Sequence, residues 1–83
     1  MESEFKEISE KILLSKDLNI DDDDKLTLYG YYKQSTVGDC NISQPSFIDY
    51  KGTAKYNAWK ENEGMNEKIA MQRYVRKAKQ FLK

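Results

Sequence analysis

Apolar residues recur at helical spacing in four stretches of this chain and at strand spacing in none. Phe5, Ile8, Ile12 and Leu13 fall at i, i+3, i+7 and i+8, one face of a helix capped by Ser3 and running to about Lys16. Glu4 and Glu7 sit in its first turn, where carboxylates meet the positive end of the helix dipole. A connector at 17–20 follows. Leu26, Leu28, Tyr29, Tyr31 and Tyr32 then cover more than one face of a second helix, from about Asp22 to Thr36. Such breadth predicts that this helix both packs on the core and touches a ligand. Gly38-Asp39 stops it, glycine being the usual residue at a left-handed helix end.

Residues 39–48 have no period and contain the chain's one proline, Pro45. The stretch is long enough to carry the chain back across a bundle. Val37, Ile42, Phe47 and Ile48 are expected to pin it to the core. A third helix spans about Asp49 to Asn62, with Tyr50, Ala54, Ala58 and Trp59 as its inward stripe, and Gly64 breaks it. Asn66 caps the last helix. Met71, Tyr74, Val75, Ala78, Phe81 and Leu82 give that helix a strong 3.6-residue period to about Leu82. Arg76, Lys77, Lys79 and Lys83 load its negative end. The expected fold is all-α, a small four-helix bundle with a long loop between the second and third helices.

Length changes the picture only by limiting it: 83 residues hold one domain, 1–83, with one thin core. Charge excludes more. Fourteen basic and fourteen acidic residues give a formal net charge of zero, which argues against general nucleic-acid binding. There is one cysteine, Cys40, and no histidine. An internal disulfide, a zinc site of the usual kinds and the histidine-based catalytic triads are therefore excluded, and an enzyme is not expected. Cys40 reads as a small half-buried residue. The run Asp21-Asp22-Asp23-Asp24 reads as an N-cap and first turn rich in dipole-matched carboxylates. As a calcium loop it fails, because Leu26 and Tyr32 stand where a glycine and a carboxylate are required. The acidic, polar start Met1–Lys6 does not resemble a secretory signal or transit peptide, and no segment approaches the ~18 apolar residues of a membrane span. The reading is a cytoplasmic protein, in which Asn41-Ile42-Ser43 stays unglycosylated.

Candidate chemistry concentrates in one stretch. Tyr29, Tyr32 and Lys33 lie three and four apart and point the same way on a helix. Two flat rings with hydroxyl tips beside an ammonium suit a ligand that has a ring and a phosphate. Lys51 and Lys55, four apart, form a second basic pair on the third helix. By spacing alone Tyr31, Tyr50 and Trp59 are assigned mostly to packing.

The run Tyr29-Gly30-Tyr31-Tyr32-Lys33-Gln34-Ser35-Thr36-Val37-Gly38-Asp39 closely resembles the signature of the acyl-CoA-binding protein family. The likeness continues through Asn41, Pro45, Asp49, Lys51-Gly52, Ala54-Lys55, Ala58-Trp59, Ala70-Met71 and Tyr74. The resemblance implies an up-down-down-up bundle that binds long- and medium-chain fatty acyl-CoA esters one to one, as an intracellular carrier without a cofactor or metal. It implies a 3′-phosphate held by Tyr29, Lys33 and Lys55, and an adenine and ribose against Tyr32 and Tyr74. Leu13, Leu26, Leu28, Tyr31 and Lys51 are further candidates for ligand contact. The expected partners are acyl-CoA itself and, transiently, acyl-CoA-using enzymes or membranes; the expected state is a monomer. The chain departs from the family pattern at Leu13, where a head-group lysine is usual, which implies a weaker contact or one shifted to Lys16. Tyr56 stands in place of a tryptophan, and the loop before the second helix is about one residue longer. The competing reading is a helical protein-interaction module that has lost its ligand.

Overall fold

The structure is a computed structural model and describes residues 2–15 and 18–82. Four helices follow in order: α1 (Glu2–Leu14), α2 (Asp22–Thr36), α3 (Tyr50–Lys60) and α4 (Glu67–Lys79). The described residues contain no strand. Three of the starts are fixed by side-chain caps that accept otherwise orphaned backbone N–H groups. Asp21 Oδ1 accepts from the Asp24 N–H at 2.8 Å, Asp49 Oδ1 from Gly52 at 2.9 Å, and Asn66 Oδ1 from Lys68 at 2.7 Å. The acidic run is thus a helix start, as its composition predicts. Gly38 leaves α2 with φ 99°, a left-handed turn that side-chain-bearing residues resist.

Cross-helix pairs fix the directions. Lys77 Nζ meets Asp24 Oδ1 at 2.8 Å, and Gln34 Nε2 donates to the Met65 carbonyl at 2.9 Å, so α2 and α4 are antiparallel. Lys55 reaches Tyr29 and Trp59 reaches Lys33, so α3 runs parallel to α2. Glu2 and Met71 line one cleft and Phe5 packs on Tyr74, so α1 runs parallel to α4. The topology is up-down-down-up. Parallel neighbours cannot be joined by a tight turn, and this is why the connection 37–49 is long: it must return the chain to the end where α2 began.

The core is small. Phe5, Ile8, Leu28, Tyr74, Val75 and Ala78 are buried together, with Ile12, Ile20, Tyr31, Tyr32 and Met71 packed around them. Burying one large apolar side chain contributes about 1.5–3 kcal/mol, so each of these matters in a chain of this size.

Several expectations are corrected. Ser3 lies inside α1 rather than capping it, and α3 and α4 stop before Asn62 and Leu82, although Phe81 and Leu82 stay half-buried. Val37, Ile42, Phe47 and Ile48 do not pin the crossover: all four are exposed. Tyr50 is 82% exposed, not part of an inward stripe: it is the first residue of α3, and the α2–α3 cleft begins a turn later, at Ala54 and Ala58. Leu13 shares the spacing of Phe5 and Ile8 but is 73% exposed. A period gives a face and says nothing of how wide the contact is. Lys16 and Lys83 lie outside the described residues.

Candidate functional site

The close approach of α2 and α3 begins at Gly30. A Cβ there would meet the Ala58 carbonyl oxygen and come within 2.9 Å of Asn62 Nδ2. With no side chain at this point the helices draw together, and each sends a lysine onto the other's aromatic ring. Lys55 Nζ of α3 lies 5.5 Å from the centre of the Tyr29 ring of α2. Lys33 Nζ of α2 lies 4.9 Å from the Trp59 ring of α3. Both are within cation–π range, and each fixes where an otherwise mobile ammonium sits. Trp59 is itself immobile: it is 2% exposed and its indole N–H donates to the Gly38 carbonyl at 2.7 Å.

On the other side of α2 the aromatic residues cluster. Phe5 stacks on Tyr32 at 5.8 Å and meets Tyr74 edge-on at 5.2 Å, while Tyr32 and Tyr74 lie 6.1 Å apart. Burial, and then the neighbouring Tyr32, push the Tyr74 phenol up to about 12, so it is a neutral hydrogen-bonding group at any physiological pH.

These groups open into a groove of about 620 Å³. Ile12, Leu13, Leu18 and Ile20 form the wall that leaves α1, and Leu28 adds to the apolar lining. Lys25, Tyr29, Tyr32 and Lys33 form the α2 wall, and Tyr74 enters from α4. Apolar surface and phosphate-binding chemistry therefore share one cavity, which suits an amphipathic ligand. Lys55 joins from α3 through Tyr29.

The structure thus brings Tyr29, Tyr32, Lys33, Tyr74, Leu13 and Leu28 to one groove, with Lys55 at its edge. It does not place Leu26 or Tyr31 there. Both line a separate cleft of about 340 Å³ between α2 and α3, with Ala54 and Ala58. Lys51 is exposed, one turn before Lys55. Lys25, Leu18 and Ile20 also line the groove, although no sequence motif marks them; the apolar pair flanking Asn19 just before an N-cap is the one signal the chain offers. Trp59, assigned mostly to packing by its spacing, also holds the Lys33 ammonium, a contact that spacing along the chain does not show.

A second polar centre stands at the far end of α2. Gln34, 1% exposed, donates through Nε2 to Asp39 Oδ1 and the Met65 carbonyl, both at 2.9 Å. The Gly64 N–H also donates to Asp39 Oδ1, at 2.7 Å, and these two donors hold the carboxyl below the usual carboxylate range. This network clamps the ends of α2 and α3 to the start of α4. Cys40 is a free, half-buried thiol, and among the described residues no group of three or more His, Cys, Asp or Glu is placed to hold a metal ion.

Fold and site together define a small helical ligand-binding module with an amphipathic groove. Residues 2–78 match the family model described as acyl CoA binding protein. The chain is 40% identical over 82 residues to the acyl-CoA-binding protein of Ricinus communis, covering 99% of this chain and 90% of that one. It is 41% identical over 81 residues to acyl-CoA-binding domain-containing protein 3 of Oryza sativa subsp. japonica, covering 98% of this chain and 52%, about half, of that protein. The crystal structure of acyl-CoA-binding protein 2 of Oryza sativa superposes with a TM-score of 0.90 at 42% identity, over 98% of this chain and 87% of that one. The chain belongs to the acyl-CoA-binding protein family.

Proposed function

We propose that the groove binds long- and medium-chain fatty acyl-CoA esters and that the protein acts as a non-catalytic, monomeric carrier in the cytoplasm. The observation that carries this reading is the reciprocal pair of contacts across α2 and α3. Two ammonium groups, Lys33 and Lys55, are held on Trp59 and Tyr29 at the edge of a groove whose other wall is apolar. Charge-assisted bonds from two lysines and a phenol suit the ribose 3′-phosphate of CoA. The rings of Tyr32 and Tyr74 suit its adenine, where stacking on one base contributes ~1–3 kcal/mol in nucleic-acid sites. The acyl chain would lie along Ile12, Leu13, Leu18 and Ile20, the wall opposite α2, with Leu28 adding apolar surface at the base.

Binding of this kind would sequester the ester from water and present it to acyl-CoA-using enzymes or membranes. The geometry gives less support to an interaction module without a ligand, because both lysine–aromatic pairs and the groove are intact. The absence of histidine from the chain supports binding without turnover. No helix among the described residues is long and apolar enough to cross a membrane.

Calorimetric titration with palmitoyl-CoA, its 3′-dephospho analogue and free palmitate tests the reading. Micromolar or tighter binding of palmitoyl-CoA, weaker binding of the dephospho ester and no binding of palmitate are expected. No heat with any acyl-CoA would reject it. Esterase assays should show no turnover beyond the uncatalysed rate.

A further inference from the structure

We propose that Lys25 holds the pyrophosphate of CoA, a second anion subsite one helical turn before Tyr29; this rests on reading the groove as an acyl-CoA site. Lys25, Tyr29 and Lys33 fall at i, i+4 and i+8 along α2, and all three line the groove. Lys25 and Lys33 are the only charged residues among the described ones that line it, and no carboxylate stands beside them there. The other two lysines of the site are held at the α2–α3 seam, Lys33 over Trp59 and Lys55 over Tyr29. Lys25 is uncommitted. Among the described residues its ammonium makes no ion pair and lies over no ring.

The acidic run that precedes Lys25 does not neutralise the groove. Asp21 Oδ1 accepts from the Asp24 N–H at 2.8 Å, and Asp24 Oδ1 meets Lys77 Nζ at 2.8 Å. Asp23 lines the cleft on the α3 side of the helix, and Asp22 is exposed and outside the groove. The backbone N–H of Lys25 donates to the Asp21 carbonyl at 3.0 Å, so its place in the first turn is fixed while the side chain stays free. Leu28, three positions on, lines the same groove and gives the lysine stem an apolar surface to lie on. A flexible stem ending in a point charge suits a phosphate oxygen.

The charge of the ligand selects this role. A CoA ester carries two phosphate centres on one ribose, the 3′-phosphate and the 5′-pyrophosphate. Lys33, Lys55 and Tyr29 meet the first. The second is left facing a wall of Ile12, Leu13, Leu18 and Ile20, where an unpaired anion is costly. Because both centres hang from the same sugar, the second lies a short way from the first. Lys25 starts four residues from Tyr29, about 6 Å along the helix axis, and its side chain spans the rest. The seam lysines alone would take any amphiphile with one phosphate. Adding Lys25 selects a ligand with two anionic centres, and it marks where the polar head ends and the apolar wall begins.

Calorimetry of the full chain with palmitoyl-CoA, 3′-dephospho-palmitoyl-CoA and octanoyl-CoA tests this. Lys25→Met, which keeps the stem and removes the charge, should weaken all three by about tenfold. Lys25→Arg should keep most of the affinity. Lys25 is exposed, so both variants should melt as the wild type does. Lys33→Ala gives the contrast, because its loss should shrink on the dephospho ester while that of Lys25→Met persists. Unchanged or tighter palmitoyl-CoA binding by Lys25→Met would overturn the proposal. A loss that vanishes on the dephospho ester would assign Lys25 to the 3′-phosphate and overturn it too. One that vanishes with octanoyl-CoA would assign it to the acyl tail, with the same result. In each of these the wild type still binds and the groove reading stands. A wild-type chain that takes no acyl-CoA would reject both.

Discussion

Lys33 Nζ stands 4.9 Å from the centre of the Trp59 ring, one helix supplying the cation and its parallel neighbour the face that holds it. The same arrangement, with the helices exchanged, joins Lys55 to Tyr29 at 5.5 Å. Holding both ammonium groups before a ligand arrives removes part of the ordering cost of binding. Lys33→Ala is expected to lose about 1.5–3 kcal/mol of affinity for palmitoyl-CoA, roughly ten- to a hundredfold, and much less for the 3′-dephospho ester. Calorimetry with both ligands separates the two. Trp59→Phe keeps a ring but leaves the Gly38 carbonyl without its donor. It should lower the melting temperature by about 4 °C or more, measured by circular dichroism.

Gly30 tests whether helix separation sets the site. Gly30→Ala adds a methyl group against the Ala58 carbonyl, a backbone atom that cannot swing aside. Overpacking of this kind costs about 1–3 kcal/mol, against roughly 1 kcal/mol gained in helix propensity. The expected outcome is a lower melting temperature together with weaker palmitoyl-CoA binding, because both lysine–ring contacts cross this seam. A variant that melts higher and binds normally would show that the close approach is not needed.

Acid should loosen the far end of the bundle. The Gly64 and Gln34 donors hold the Asp39 carboxyl below its ordinary value, and Lys79 does the same for Glu4. A carboxylate depressed in the folded state adds stability above its unfolded pKa of about 4, and that stability is lost as pH falls through the folded value. Asp39→Asn keeps an acceptor oxygen but cannot titrate. Denaturant melts between neutral pH and about pH 3 should therefore fall less steeply in the variant than in the wild type.

Alkali should act through Tyr74. Its phenol is pushed up to about 12, above the ordinary value of about 10. A raised value contributes stability that is whole below the unfolded pKa and is lost as pH rises toward the folded one. Tyr74→Phe removes this group while keeping a ring for the ligand. The wild-type chain should lose stability between about pH 10 and 12, and the variant should lose less of it there. Ultraviolet titration should find one tyrosine that ionises after the others.

Chain length reads out the apolar wall. Each methylene buried along Leu13, Leu18, Ile20 and Leu28 is worth ~0.8 kcal/mol, about fourfold in affinity. A calorimetric series of acyl-CoA esters should tighten by about that factor per methylene and then level off once the groove of about 620 Å³ is filled.

How much of this was legible beforehand follows from the range of each interaction. Helix starts depend on neighbours within one turn, so the sequence by itself determined the acidic start at Asp21, the cap at Asn66 and the full span of α2, while Asp49, expected as the first residue of α3, is its cap. Identity of the family lay in the order of residues from Tyr29 to Tyr74 and needed no coordinates. Tertiary structure decided which apolar residues are used. Phe5 and Leu13 share one face by period, yet one is buried against Tyr74 and the other opens onto the groove, because α4 covers only part of α1. Phe47 and Ile48 look like core residues in composition and are exposed because no helix covers the crossover. Trp59 looks like packing and also fixes Lys33, twenty-six positions away, because only the parallel docking of α3 on α2 at Gly30 brings the two together.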